Sequence, residues 1–422
     1  MHHVLLVNFF FIIQHFCPLS VSSSDKRAKR RTHLRRETQV RLQREHLMNK
    51  RIYLSPPHMC GIERELVSNA FDSNWVAPAG PDIDAFEREM CMYTGSPNAV
   101  ALSSGTAALH LALIVSGVKA GDDVYCSSFT FAGSAFPVTY TGAKPVFVDS
   151  ELDSWNMDPG LLKQAIEDSI KNKRTPGPVI VVHLYGQTAN LVEIKAICDH
   201  FGILLIEDAA ESLGSLHKDK HTGTIGELGI FSYNGNKLIT TSGGGMLVGK
   251  SKELIEKARY LSTQAREPLP YYHHVTTGFN YRMSNICAAI GRGQLSVIHD
   301  RVTKRREIYE FYSRTLEKIR EITLIPRDVF GLSNCWLTCI VFDKKAGINP
   351  EKVRLELEKE NIESRPLWKP MHLQPVFNGG QPFLNGISEN LFKYGLCLPS
   401  GSSMSQDDLF RVAETLIQIL KT

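Results

Sequence analysis

Residues 232 to 249 read SYNGNKLITTSGGGMLVG, which sets one lysine, Lys237, between a polar turn and three consecutive glycines. An amine held on such a loop can attack a carbonyl and form a Schiff base; a solvated surface lysine is the plainer alternative. In IEDAAESLGS, upstream, Asp208 closes an apolar run. That is the end of a parallel strand at which ligands bind, although acids there also cap the following helix. Further upstream, SSGTAALHLAL (103–113) passes from two serines, Gly105 and Thr106 into an Ala-rich helical pattern. Its free N–H groups and positive dipole end suit an anion, and an ordinary capped helix would look the same. Together the three stretches supply what pyridoxal phosphate needs: a phosphate cradle, a carboxylate for the pyridinium nitrogen in Asp208, and an amine for the aldehyde in Lys237.

Such residues need a scaffold, and the surrounding pattern provides one. Apolar runs bounded by turn residues occur at 99–102, 123–128, 145–149, 178–184, 203–208, 229–233 and 245–249, with helical periods in TAALHLALIVSG, LLKQAIEDSIKN and LVEIKAICDHFG between several of them. Near-continuous apolar strands separated by amphipathic helices predict an α/β fold whose mainly parallel sheet is covered on both faces. RVTKRREIYEFYSRTLEKIR predicts a long helix leading out of this part, followed by strand-like CWLTCIVFD and helix-like PEKVRLELEKENI. The expected organisation is an N-terminal extension over 1–47, a large cofactor-binding domain over 48–299 and a smaller α+β domain over 300–422.

The chain has 422 residues and a formal charge of +4, but residues 1–47 hold nine Lys and Arg against three Asp and Glu. From Met48 onward 39 basic residues face 41 acidic ones, which excludes a general nucleic-acid binder. The nine cysteines form no C-x-x-C pair, so free thiols are expected rather than a disulfide framework or a zinc site, and no metal is called for. The extension combines an apolar run, VLLVNFFFIIQHF, with the basic stretch KRAKRRTHLRRETQVRLQREHL. The run is short for a membrane span and no cation precedes it. The segment is expected to be disordered, an upstream mis-start or a peripheral anchor, with a secretory signal as the alternative.

In order along the chain, SSGTAALHLAL, SSFTF, VHLYGQ, IEDAAESLGS, FSYNGNK, GGGMLVG and GFNYRMSNICAAIG…QL resemble the DegT/DnrJ/EryC1/StrS family of sugar aminotransferases, which are fold-type I pyridoxal-phosphate enzymes. The resemblance runs from Met48 to Thr422. It implies that Lys237 carries the cofactor and moves the proton, that Asp208 holds the ring nitrogen, and that Ser104, Gly105, Thr106 and Ser232 bind the phosphate. Phe131 would lie against the ring face, where a core position is the alternative. Gln187 and Glu211 would flank the ring. Asn280 would reach the phosphate of a neighbouring subunit, making a homodimer with shared active sites.

The segments RPLWKPMHLQPVF and CLPSGS, with LSPPHM and VAPAGP, are similar to the subgroup acting on UDP-linked 4-keto-6-deoxy-N-acetylhexosamines of bacillosamine-type pathways. Arg365, Lys369 and His372 would then meet the diphosphate or sugar and Trp368 would offer an apolar wall. The implied partners are that nucleotide sugar and L-glutamate, in the cytoplasm, for cell-surface polysaccharide. A GDP- or dTDP-linked keto sugar, or a regulator without catalysis, remains as an alternative function. Two departures from the family pattern, Ala79 and the Arg292–Gly293 pair within GRGQL, put local packing in question, since glycine costs a helix about 1 kcal/mol relative to alanine.

Overall fold

Each of the seven apolar runs is a strand of one sheet in the computed structural model, whose described residues are 50–380 and 382–421. The expectations for 1–47 lie outside the described residues. The strands are β1 (Asn98–Leu102), β2 (Asp123–Ser127), β3 (Lys144–Val148), β4 (Pro176–Val182) and β5 (Leu205–Asp208); then, after the hairpin β6 (Leu216–His217) and β7 (Lys220–His221), come β8 (Leu228–Ser232) and β9 (Gly245–Gly249). Their spatial order is β1-β9-β8-β5-β4-β2-β3. Helical crossovers carry the chain from β1 to β5 and the hairpin segment 209–227 carries it on to β8, so that β1, β2, β3, β4, β5 and β8 run parallel, whereas β9 returns beside β8 through the loop 233–244 and runs against its neighbours. That helix-free return is the loop that carries Lys237.

Alternate residues on each strand enter different cores, as the two-residue period requires. Val100, Leu102, Ile180, Ile206 and Leu247 pack beneath Gly105–Val115 and Lys252–Ser262. Ala99, Ala101, Phe231 and Met246 face Pro81–Thr94 and Asn285–Leu295, and Val179, Val181 and Leu205 face Pro159–Lys171 and Leu191–Phe201. The covered parallel sheet read from the sequence is the sheet observed.

From Arg51 onward the chain packs as one unit, and within it a second, antiparallel sheet is ordered β10-β11-β13-β12: β10 (Ile322–Leu324), β11 (Thr338–Phe342), β12 (Arg365–Pro366) and β13 (Gly395–Leu398). The long helix Ile298–Leu316 leads to it, and the helices Pro350–Lys359 and Gln406–Leu420 close one face. The other face contributes Leu337, Cys339 and Cys397 to a cluster with Tyr185, Trp336 and Leu367. Gly293 is explained by packing: a Cβ there would lie 2.9 Å from the backbone nitrogen of Glu63, so glycine lets two helices touch. Arg292 beside it pairs with Asp82 at 2.7 Å and Glu89 at 2.9 Å. The eight described cysteines are free, and among the described residues no helix is long and apolar enough to cross a membrane.

Candidate active site

The carboxyl ends of β1, β2, β4, β5 and β8 open into one cavity of about 240 Å³. Ser104, in extended conformation, caps the helix Gly105–Val115 by accepting from Ala107 N at 3.0 Å. This leaves the N–H groups of Gly105 and Thr106 without partners among the described residues, aimed at the cavity end where Ser232 closes β8. An anion would satisfy them. Gly245 lets β9 reach this cradle, since a Cβ there would collide with the backbone of Ser104 and Gly105. The glycine run thus serves the chain's own close approach at Gly245, while Gly243 and Gly244 line the cavity.

Asp208 ends β5 nearly buried, and its carboxylate is oriented by two donors: Ser134 Oγ at 2.6 Å and Ala210 N at 3.1 Å. Thr130 lies 2.7 Å from Ser134, so the chain of donors runs Thr130 to Ser134 to Asp208. Lys237 extends into the cavity with its Nζ 3.6 Å from Glu211 Oε1 and 4.3 Å from the centroid of the Trp336 ring. Burial pushes the Glu211 carboxyl up, Lys237 pulls it back, and Tyr185 N donates to Oε2 at 2.7 Å. Phe131 lines the cavity 55% exposed, which rules out the core alternative, with its ring 5.5 Å from Trp368.

A wider cleft of about 790 Å³ shares Asn236, Trp336 and Trp368 with this cavity. Arg365 and Lys369 line it and are exposed, Arg365 pairing with Glu363 at 2.9 Å. Three sequence-predicted residues are not among the lining of either space. Gln187 is buried and donates to Ser333 Oγ at 2.9 Å, so it braces the site from behind instead of flanking a ring. His372 is held between Ser128 Oγ at 2.6 Å and Glu389 at 3.1 Å, which clasps its segment to the end of β2 and turns the imidazole away from the cleft. Asn280 is exposed, bridging to Thr263.

Sequence reasoning missed Thr130, Ser134, Asn236 and Trp336. Thr130 closes the SSFT turn at the end of β2 and Ser134 follows it by four residues, where small hydroxyl residues at a strand's carboxyl end are a readable signal. Trp336 is brought in from the segment just before β11 and carries no local signal. Beneath the site, His183 Nε2 meets Glu207 at 2.9 Å while its Nδ1 accepts from Ala189 N, which fixes the proton on Nε2.

The open cradle, the oriented carboxylate and the reachable amine match the donor set of pyridoxal phosphate. The family model described as DegT/DnrJ/EryC1/StrS aminotransferase family matches residues 59–417. A Bacillus subtilis (strain 168) protein provisionally named pyridoxal phosphate-dependent aminotransferase EpsN is 49% identical over 379 residues, covering 89% of this chain and 97% of its own. The GDP-perosamine synthase of Escherichia coli O157:H7 is 34% identical, covering 87% and 98%. A UDP-4-amino-4,6-dideoxy-N-acetyl-beta-L-altrosamine transaminase of Campylobacter jejuni is 31% identical, covering 82% and 92%. Among solved structures, the PLP-form of a Streptococcus pneumoniae protein provisionally named sugar aminotransferase Spr1654 superposes with a TM-score of 0.81 at 26% identity, covering 88% of this chain and 99% of that one. With the cradle, the carboxylate and the amine in one cavity and relatives matching almost end to end, the chain belongs to the DegT/DnrJ/EryC1/StrS family and is a pyridoxal-phosphate-dependent aminotransferase of nucleotide-linked sugars.

Proposed function

We propose that the protein transfers the amino group of L-glutamate to the 4-keto carbon of UDP-2-acetamido-2,6-dideoxy-4-keto-hexose for a cell-surface glycan. The observation that carries this reading is the wall shared by the cavity and the cleft, Asn236, Trp336 and Trp368. A ligand whose diphosphate lies in the cleft would bring its sugar past that wall to Lys237. Arg365 and Lys369 supply the cations a diphosphate needs, and Trp368 an apolar face for the sugar.

Pyridoxal phosphate, when bound, supplies the electron sink that lets an amino group pass between donor and acceptor carbons. The chain's residues do the rest. The N–H groups of Gly105 and Thr106, with the Ser232 hydroxyl, bind the phosphate. Asp208, aimed by Ser134, holds a proton on the ring nitrogen. Phe131 covers one face of the ring. Lys237, once free, takes the proton from the donor carbon and returns one to the sugar carbon, with Glu211 next to its amine. Asn280, exposed on its own subunit, would reach a partner's cofactor phosphate in a homodimer. A reaction between soluble nucleotide sugars and glutamate supports a cytoplasmic location in this reading.

The second reading is a GDP-linked keto sugar, favoured by the 34% identity to the GDP-perosamine synthase. A panel of UDP-, GDP- and dTDP-linked 4-keto sugars incubated with L-glutamate separates the two. Amination of the UDP-N-acetyl sugar is expected, and preference for the GDP sugar would overturn the reading. Mixing Asn280→Ala and Lys237→Ala subunits should restore activity, since one hybrid site carries neither change; no recovery with exchange demonstrated would count against shared sites.

A further inference from the structure

Helix Ile298–Leu316 buries a guanidinium that the chemistry above does not use. Arg305 is 1% exposed and forms no ion pair with any carboxylate among the described residues. Arg301, 8% exposed and one turn earlier, also has no such partner; it donates to the carbonyl of His58. Burial, with Arg301 alongside, pulls Arg305 down to about 9, which leaves it cationic at neutral pH. An apolar side chain of the same volume is usually the cheaper occupant of such a position, so what the cation holds identifies its use.

It holds a closed ring of contacts around the reacting lysine. Arg305 Nη1 donates to the carbonyl of Trp336 at 2.6 Å and Nη2 to Ser55 Oγ at 2.8 Å. Ser55 donates in turn to the carbonyl of Asn236 at 2.7 Å, which also accepts from the Trp336 indole Nε1 at 2.9 Å. That carbonyl belongs to the peptide joining Asn236 to Lys237, whose N–H donates to Asn234 O at 3.0 Å. Both polar ends of one rigid peptide plane are therefore fixed. The Lys237 ammonium stands over the same indole that closes the ring.

We propose that Arg305 is a positioning residue for Lys237: acting through Ser55 and Trp336, it locks the Asn236–Lys237 peptide and the indole into one unit that sets where the amine stands. The charge is needed because a guanidinium can serve two acceptors on different elements at once. The inference rests on Lys237 as the cofactor-bearing lysine, and it is independent of which sugar is aminated.

The test uses the full chain loaded with pyridoxal phosphate and the variants Ser55→Ala, Arg305→Lys and Arg305→Met. Borohydride traps the carbon–nitrogen link between Lys237 and the cofactor, and mass spectrometry reads the fraction trapped. The half-reaction with L-glutamate gives kcat and KM without any sugar, and a melting curve reports the fold. Ser55→Ala keeps the guanidinium, the Trp336 contact and the fold. It is expected to lower the kcat of the half-reaction by roughly ten- to a hundred-fold with KM little changed, the scale of a small misplacement of a reacting group, and to trap less Lys237. Arg305→Lys should keep more of both than Arg305→Met. If Ser55→Ala traps and turns over like the wild type, or if the arginine variants lose only melting temperature, the positioning role is wrong. Should Arg305→Met fail to fold, Ser55→Ala decides alone. A failure of every sugar in the panel would leave the trapping and the donor half-reaction readable, so the two readings fail separately.

Discussion

Replacing Asp208 by asparagine probes the site where its geometry is tightest. The carboxylate accepts from Ser134 at 2.6 Å and from Ala210 N at 3.1 Å, and Thr130 stands behind Ser134 at 2.7 Å. An asparagine can keep the Ala210 bond through its oxygen. Its amide then donates to Ser134, whose hydroxyl turns to donate to Thr130, so the donor chain reverses and the Thr130 hydroxyl proton and the second amide N–H are left without an acceptor among the described residues. Stability should fall by about 1–3 kcal/mol, the cost of an unsatisfied buried donor. Catalysis loses more, because an amide cannot hold the proton on the ring nitrogen by charge. A buried charge-assisted contact of this kind is worth about 2–4 kcal/mol, which is about 30- to 1,000-fold in rate. Stopped-flow absorbance on the bound cofactor follows the glutamate half-reaction and its reverse, while a thermal melt monitors the fold. Both half-reactions should slow by similar factors in a protein that melts within a few degrees of the wild type. Unchanged rates would remove Asp208 from the chemistry, and loss of folding would show that the reversed donor chain does not form.

Three further outcomes follow from the packing. Gly245→Ala drives a Cβ into the backbone of Ser104 and Gly105; it should cost more than about 3 kcal/mol and weaken cofactor retention in dialysis, and a variant that retains the cofactor normally would refute the close approach. His183→Phe removes one donor from the buried Glu207, which keeps the N–H groups of Gly223, Ile225 and Gly226, and leaves Ala189 N without its acceptor; it should cost about 2–4 kcal/mol in urea denaturation, and a loss under 1 kcal/mol would count against that pairing. Glu63 is pushed up by burial, but the N–H of Cys60 and the Gln294 amide outweigh that and hold it at about 2, below the ordinary 4.5. Its folded value is depressed, so it contributes up to about 3 kcal/mol that is present above pH 4.5 and is lost as pH falls through 2. Glu63→Gln should flatten that acid limb in urea melts taken from pH 6 to 2, and an unchanged limb would refute the assignment.

Strand and helix identity was written locally. Runs such as PVIVVHL and LVEIKAICDHFG carry periods that only one kind of element can bury, and their alternation dictates a covered parallel sheet. The cradle at Ser104–Thr106, Asp208 at a strand end and Lys237 beside its glycines were legible for the same reason, since each sits at the end of an element whose type the sequence reveals. Direction and distance were not legible. That Gln187 turns to Ser333 and His372 to Ser128 depends on which side of its segment each side chain takes once the two sheets have packed, and a motif match does not encode that choice. Trp336 and Arg305 come from the segment just before β11 and from the helix leading to the second sheet, far along the chain from Lys237, and only tertiary packing brings them to it. The sequence by itself determined the elements and the residues at their ends, because propensity, burial period and capping act over a few neighbours. The tertiary structure alone decided which side chains face the cavity and what fixes the reacting amine, because those depend on contacts between segments remote along the chain.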